Sequence, residues 1–149
     1  MRDYLNEIIS SFKEISKKNF IFNYDQDSNS KKITKSIEIV YGLRNFIGNA
    51  NKFSKETVYI NLKSDSEITE IIIEDDGEGY PRDVLSKIGE PYLRSSKTNE
   101  KSKTGLGLGL FIGKTLLEKN FASIDFKNSE TRNGAEVIVK WNNKDLFNI

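Results

Sequence analysis

Neither cysteine nor histidine occurs among the 149 residues. Without cysteine there can be no disulfide, thiol nucleophile, thiol redox sensor or cysteine-ligated zinc. Without histidine the chain loses the commonest general base, the commonest metal ligand and any phosphohistidine of its own. Its chemistry must rest on carboxylates, amides, Lys, Arg and backbone, or on a bound ion. Long apolar runs are lacking too. None approaches the roughly 18 residues that span a bilayer, and residues 1–10 are polar and mixed in charge, unlike a secretory signal. Nor is there an excess of either charge. Lys plus Arg number 23 against 22 for Asp plus Glu, a net charge of +1. By bulk charge this argues against nucleic acid and membrane surfaces as partners.

What is present fits a single domain, 1–149. Tyr4, Leu5, Ile8, Ile9, Phe12 and Ile15 recur at a helical period and predict a helix over 3–16, capped by Asp3, within an N-terminal segment 1–18. A β-rich run at 20–24 ends in a turn-like stretch, and 31–34 can return as a brief strand. Ser36 caps a second helix that runs to about Phe53. Strands follow at 57–62 and 67–75 around a hairpin loop at 63–66, then a glycine turn and a short helix over 82–88. Residues 90–104 carry Arg94, Lys97, Lys101 and Lys103 with little apolar content, and read as an irregular basic loop of a length that in a compact domain is usually functional or disordered. A glycine-rich turn leads into an apolar helix over 105–119, and strands at 123–128 and 135–141 meet at an Asn133-Gly134 turn. The pattern is a two-layer α/β sandwich, a mixed sheet with helices on one face.

Three segments carry chemistry. On the second helix, Ile39, Leu43, Phe46, Ile47 and Ala50 share one face, while Asn45, Asn49 and Lys52 share the opposite one. Asparagine is a poor helix former. Taken alone, this stripe reads first as a solvated polar face. It is also a row of hard ligands, with amide oxygens for Mg²⁺ and a Lys for phosphate. The second segment is Asp75-Asp76-Gly77-Glu78-Gly79, directly after an apolar strand. It is either an acidic β-turn or a carboxylate placed to accept from an exocyclic amine, with glycines that let a ligand approach. The third is Gly105-Leu106-Gly107-Leu108-Gly109. Glycines at alternate positions cost a helix about 1 kcal/mol each, so a phosphate cradle of free N–H groups explains them better than a flexible helix entry. It is neither a Walker A loop, which needs glycine where Leu108 stands, nor a dinucleotide fingerprint, which needs it at Leu110 or Ile112.

In this order and spacing, the three segments resemble the N, G1 and G2 boxes of the GHKL (Bergerat-fold) ATP-binding superfamily, and within it the catalytic domain of a sensor histidine kinase. The run 45–54 follows the kinase pattern N-x-x-x-N-A-x-K-[FY]-[ST], and Gly89-Glu90-Pro91-Tyr92 occupies the F box, departing from F-x-P-F at its first position. The stretches 88–92, 105–112 and 114–118 look closest to the redox-responsive RegB/PrrB/ActS kinases.

The resemblance implies ATP and Mg²⁺ as cofactors. It implies Asn49 as the metal ligand, Lys52 as a phosphate contact and Asp75 as the reader of the adenine amine, with Gly77 and Gly79 beside the ring. It implies 90–104 as an ATP lid, in which Arg94 or a lysine would neutralise phosphate charge, and 105–109 as the hinge that closes on the triphosphate. Asn45 stands where the hydrolytic cousins, gyrase and MutL, carry a glutamate that activates water; an amide cannot serve as that base. Transfer to a protein acceptor is therefore expected, with Asn45 and Lys52 as the catalytic pair. Tyr41 lies where many kinases place Glu or His. The acceptor would be a histidine on a separate dimerisation domain, which passes the phosphoryl group to a response regulator. The expectation is an excised, cytoplasm-facing catalytic domain of a membrane-anchored homodimer. The alternative is a stand-alone GHKL regulatory module such as an anti-sigma-factor serine kinase. The first helix separates the two: it extends a dimerisation stalk in one case and helps build a dimer in the other.

Overall fold

The computed structural model of the chain describes residues 1–25, 36–85, 87–88 and 106–146. The elements are α1 (Arg2–Lys13), β1 (Asn19–Tyr24), α2 (Ile37–Phe53), β2 (Thr57–Ser64), β3 (Ile68–Asp75), α3 (Arg82–Leu85), α4 (Leu106–Lys119), β4 (Ser123–Asn128), β5 (Ala135–Asn142) and α5 (Asn143–Leu146). The strands form one sheet in the order β1-β2-β3-β5-β4, with β1 and β2 parallel and the other pairs antiparallel.

The register decides which face is buried. Val58, Ile60 and Leu62 of β2 lie level with Asp75, Ile73 and Ile71 of β3, and Ile73 and Ile71 with Val137 and Val139 of β5. All are buried, and this face carries the helices. On the other face, partly exposed Ile72 and Ile138 sit among ion pairs, Lys127–Glu136 at 3.2 Å and Lys140–Glu70 at 3.6 Å, with Arg132 stacked 3.6 Å over the Tyr59 ring. The expected two-layer sandwich is the observed one.

The helix layer is held by close approach of α2 and α4. Lys119 pairs with Glu38 at 2.9 Å, Gly113 faces Phe46, and Gly109 faces Asn45, so the two helices run antiparallel. A Cβ on Gly113 would lie 2.6 Å from Phe46 Cε1 and 3.1 Å from the Gly42 carbonyl. Glycines inside these helices are thus explained by packing as well as by any ligand. Ser36 caps α2 as expected, its hydroxyl accepting from Ile39 N at 3.3 Å.

Several boundaries differ from the sequence reading. Helix α1 starts one residue earlier, with Met1 at its N-cap and Asp3 in its first turn, so Asp3 is not the cap. It ends at Lys13 in a turn where Ile15 N and Ser16 N both donate to Phe12 O, and Ile15 is 79% exposed rather than part of the apolar stripe. Leu5, Ile8 and Ile9 are buried against α2 and β1, so α1 is part of this core. The short helix stops at Leu85, and α5 was not anticipated. The strand expected at 31–34 and the lid expected at 90–104 lie outside the described residues.

Candidate functional site

Where β3 leaves the sheet, the chain turns at Asp76-Gly77 beneath the C-terminal end of α2. The cleft between them has a volume of about 220 Å³ and is lined by Asn49, Phe53, Lys55, Asp75, Gly77, Glu78, Gly79, Tyr80, Pro81 and Ala135. Asn49, Asp75, Gly77 and Gly79, all singled out in the sequence, therefore meet in one place.

Asp75 lies at the floor, 2% exposed. Its Oδ1 accepts from Gly77 N at 2.8 Å and from Ala135 N at 3.2 Å, and no described residue donates to Oδ2. Burial pushes its carboxyl above the ordinary carboxylate range, against the pull of those two N–H groups. One oxygen is fixed by the main chain and the other is left for a donor entering the cleft. A buried, oriented acceptor of this kind suits an exocyclic amine.

The glycines keep the cleft open. A Cβ on Gly77 would strike the Phe53 carbonyl at 2.2 Å, and Gly79 takes φ +81°, a left-handed conformation that glycine adopts freely. Behind the turn, Asn128 Oδ1 accepts from Tyr80 N at 2.6 Å and its Nδ2 donates to Tyr80 O at 3.1 Å. Tyr80 is buried, its hydroxyl shifted strongly upward by burial, and it packs edge-on against Phe126, which packs edge-on against Phe46 of α2. The cleft floor is thus joined to the helix layer through three rings.

The residues expected to face the phosphates are arranged along α2. Asn45 donates its Nδ2 to Tyr41 O at 2.8 Å, and its Oδ1 lies 3.9 Å from where a Gly109 Cβ would be, at the start of α4. The amides of Leu106, Gly107 and Leu108, in the first described turn of that helix, have no acceptor within its described residues. Gly107 and Gly109 therefore sit within the first turn of α4 rather than in a loop before it. Leu108 is 57% exposed. For Leu106 and Gly107 only the backbone is described, and Arg94 and Gly105 lie outside the described residues. Lys52 is exposed, with its Nζ 5.4 Å from the Phe53 ring, and it does not line the cleft.

Three supports were not read from the sequence. Asp76 accepts from the amides of Lys55, Glu56 and Thr57. Lys18 donates its Nζ to the Ser54 carbonyl, and to Ser54 Oγ at 3.3 Å. Gly134, read only as a turn, has no room for a Cβ, which would fall 1.9 Å from the Asp75 carbonyl oxygen. Each joins residues far apart in the chain, so no local pattern announces it.

The sheet order, the helix layer and the cleft together define the fold of a histidine kinase catalytic domain. The mycobacterial sensor histidine kinase MprB matches it with a TM-score of 0.77 at 21% identity over 95% of each chain. A catalytic domain of the histidine kinase ThkA matches with 0.76 at 21% identity over 95% of this chain and 91% of that one. The chain belongs to the histidine kinase-, DNA gyrase B- and HSP90-like ATPase family, whose model matches residues 34–145. Sensor histidine kinase RegB of Cereibacter sphaeroides is 40% identical over 108 residues, covering 69% of this chain and 23% of RegB. Sensor protein SrrB of Staphylococcus aureus is 30% identical over 122 residues, covering 80% of this chain and 19% of SrrB. The matched part of the chain thus spans only 19–23% of the length of these relatives. No helix among the described residues is long and apolar enough to cross a membrane.

Proposed function

We propose that this chain is the ATP-binding catalytic part of a sensor histidine kinase, binding Mg-ATP and delivering the γ-phosphoryl group to a histidine on a separate dimerisation domain. The observation that carries the reading is Asp75: a buried carboxylate, half occupied by main-chain donors, at the floor of a cleft kept open by Gly77 and Gly79. The identity to RegB supports the kinase assignment within the family.

In this reading the adenine enters beside Gly77 and Gly79, with its six-amino group donating to Asp75 Oδ2. The triphosphate runs along the polar stripe of α2 towards the unpaired amides that open α4, which favour anionic oxygen. In this reading Lys52 and Arg94 supply positive charge to the phosphates. Mg²⁺ takes hard oxygen ligands and keeps several waters. The described residues hold no cluster of three acidic side chains to cage it. They offer amide oxygens instead. The Asn49 side chain lines the cleft with no hydrogen bond to a described residue, and Asn45 has its Nδ2 engaged and its Oδ1 turned towards α4. That donor set suits a metal whose other ligands are phosphate and water, with Asn49 as the protein ligand. When bound, the metal would neutralise charge on the phosphates as the terminal group departs.

The nucleophile has to come from outside, because the chain has no histidine. Asn45 cannot activate water, so the bound nucleotide waits for a protein acceptor. The partners are a histidine-containing dimerisation domain and, downstream, a response regulator; the parent is a membrane-anchored homodimer with this domain on the cytoplasmic side. Incubation with γ-labelled ATP and Mg²⁺ tests this. The chain alone stays unlabelled, and addition of a RegB-type dimerisation domain produces acid-labile, alkali-stable phosphate on that domain. Label on this chain itself, or free phosphate released at the same rate without the acceptor, contradicts the reading.

A further inference from the structure

We propose that Asp76 is a positioning residue for the nucleotide cleft: it pins the α2 wall to the turn that carries Asp75 and so sets the spacing between the two walls. The inference rests on the nucleotide reading above and deepens it.

One wall of the cleft is the end of α2 and the residues after it, represented by Asn49, Phe53 and Lys55; the other is the turn from Asp75 to Pro81. Asp76 touches both. It belongs to the turn, and its carboxylate reaches across to three consecutive amides of the α2–β2 connection. Oδ1 accepts from Lys55 N at 2.8 Å and Glu56 N at 3.1 Å; Oδ2 accepts from Glu56 N at 3.2 Å and Thr57 N at 3.2 Å. Three converging N–H groups form an anion-holding concavity, and here the anion is supplied from within the chain.

The contact beside it shows why the pin matters. Gly77 packs so tightly on the Phe53 carbonyl that a Cβ would sit 2.2 Å from it. The two walls therefore meet with no side chain between them, and nothing flexible can absorb a change of spacing. Lys18 holds Ser54 at the start of the same connection, so 54–57 is gripped by an ammonium and a carboxylate. Releasing the carboxylate frees the end that bears Lys55 while Asp75, held by Gly77 N and Ala135 N, keeps its place. Loss of Asp76 should thus loosen the cleft without altering which base is read at its floor.

The test is calorimetric titration of ATP and GTP, each with Mg²⁺, into wild type, Asp76→Ala and Asp76→Asn, well below the melting temperature of each. Asp76→Ala is expected to weaken both nucleotides by about tenfold, leaving the ATP:GTP ratio unchanged. Asp76→Asn keeps one acceptor oxygen but turns an amide NH₂ towards Thr57 N, and is expected to weaken both by roughly threefold. A folded Asp76→Ala with wild-type affinity overturns the proposal, as does one whose ATP:GTP ratio changes, since that would place Asp76 in contact with the base. If Asp76→Ala does not fold, Asp76→Asn decides, and wild-type affinity there overturns the proposal. Wild type binding neither nucleotide overturns the nucleotide reading as well; wild type binding ATP beside an unaffected variant overturns the proposal alone.

Discussion

Asp75 and Asp76 are neighbours with opposite electrostatic roles. Burial raises the folded pKa of Asp75, so its ionisation works against folding, and stability is lost as pH rises from the ordinary aspartate value through the raised one. For Asp76, burial also acts upward, but the amides of Glu56, Thr57 and Lys55 outweigh it and hold the folded pKa below the ordinary value. Its contribution is fully present above the unfolded pKa of about 3.9 and is lost as pH falls through the depressed folded one. Thermal melts across acid pH should therefore show Asp76→Asn with a shallower loss of stability below about pH 4 than wild type. A parallel acid limb in the two proteins would mean that the three amides do not discriminate charge. At the phosphate side, Asn49→Ala should leave the fold intact, because the side chain lies on the polar face of α2. It should remove most of the Mg²⁺-dependent gain in ATP affinity, and equal Mg-ATP affinity in mutant and parent would exclude Asn49 as the ligand.

At the scale of elements, the sheet strands and α2 were legible because their signals are local: alternation over 57–62, the β-branched run Ile71-Ile72-Ile73 within 67–75, and a serine cap followed by a helical stripe. The cleft was legible only as separate pieces. Asp75 and Asn49 announce themselves by residue type, whereas Asp76, Lys18, Asn128 and Gly134 act on partners many residues away, and nothing nearby in sequence marks them. The end of α4 is a further case. Ala122 N donates to Leu117 O and Phe121 N to Glu118 O, a glycine-type helix stop, but the left-handed position holds Phe121 at φ +73°. No turn residue flags it, so the boundary was read from the apolar run alone. The Phe121 side chain is 63% exposed and contributes little packing. Phe121→Gly should relieve the strain and raise stability by about 1 kcal/mol, visible as a higher melting temperature; a lower one would show that the exposed ring packs after all.

Over the whole molecule, the structure is a rigid frame for one cleft. Close packing of α2 on α4 at Gly42 and Gly113 and the ring series Phe46, Phe126 and Tyr80 tie the nucleotide side to the core. The N-terminal helix is folded into that same core through Leu5, Ile8 and Ile9. In the proposed function the chain holds the phosphoryl donor and another domain supplies the acceptor. The central claim is therefore that the cleft reads adenine through Asp75, and the most direct measurement is the pair of dissociation constants for Mg-ATP and Mg-GTP on wild type and Asp75→Asn. The variant keeps an oxygen for Gly77 N and Ala135 N but presents an NH₂ group to the base. A hydrogen bond to a charged acceptor is worth roughly 1.5–3 kcal/mol, about ten- to a hundredfold in affinity. Wild type should prefer ATP by at least about tenfold, and folded Asp75→Asn should lose most of that preference by binding ATP more weakly. Equal affinities in wild type, or an unchanged ratio in the folded variant, would contradict that claim.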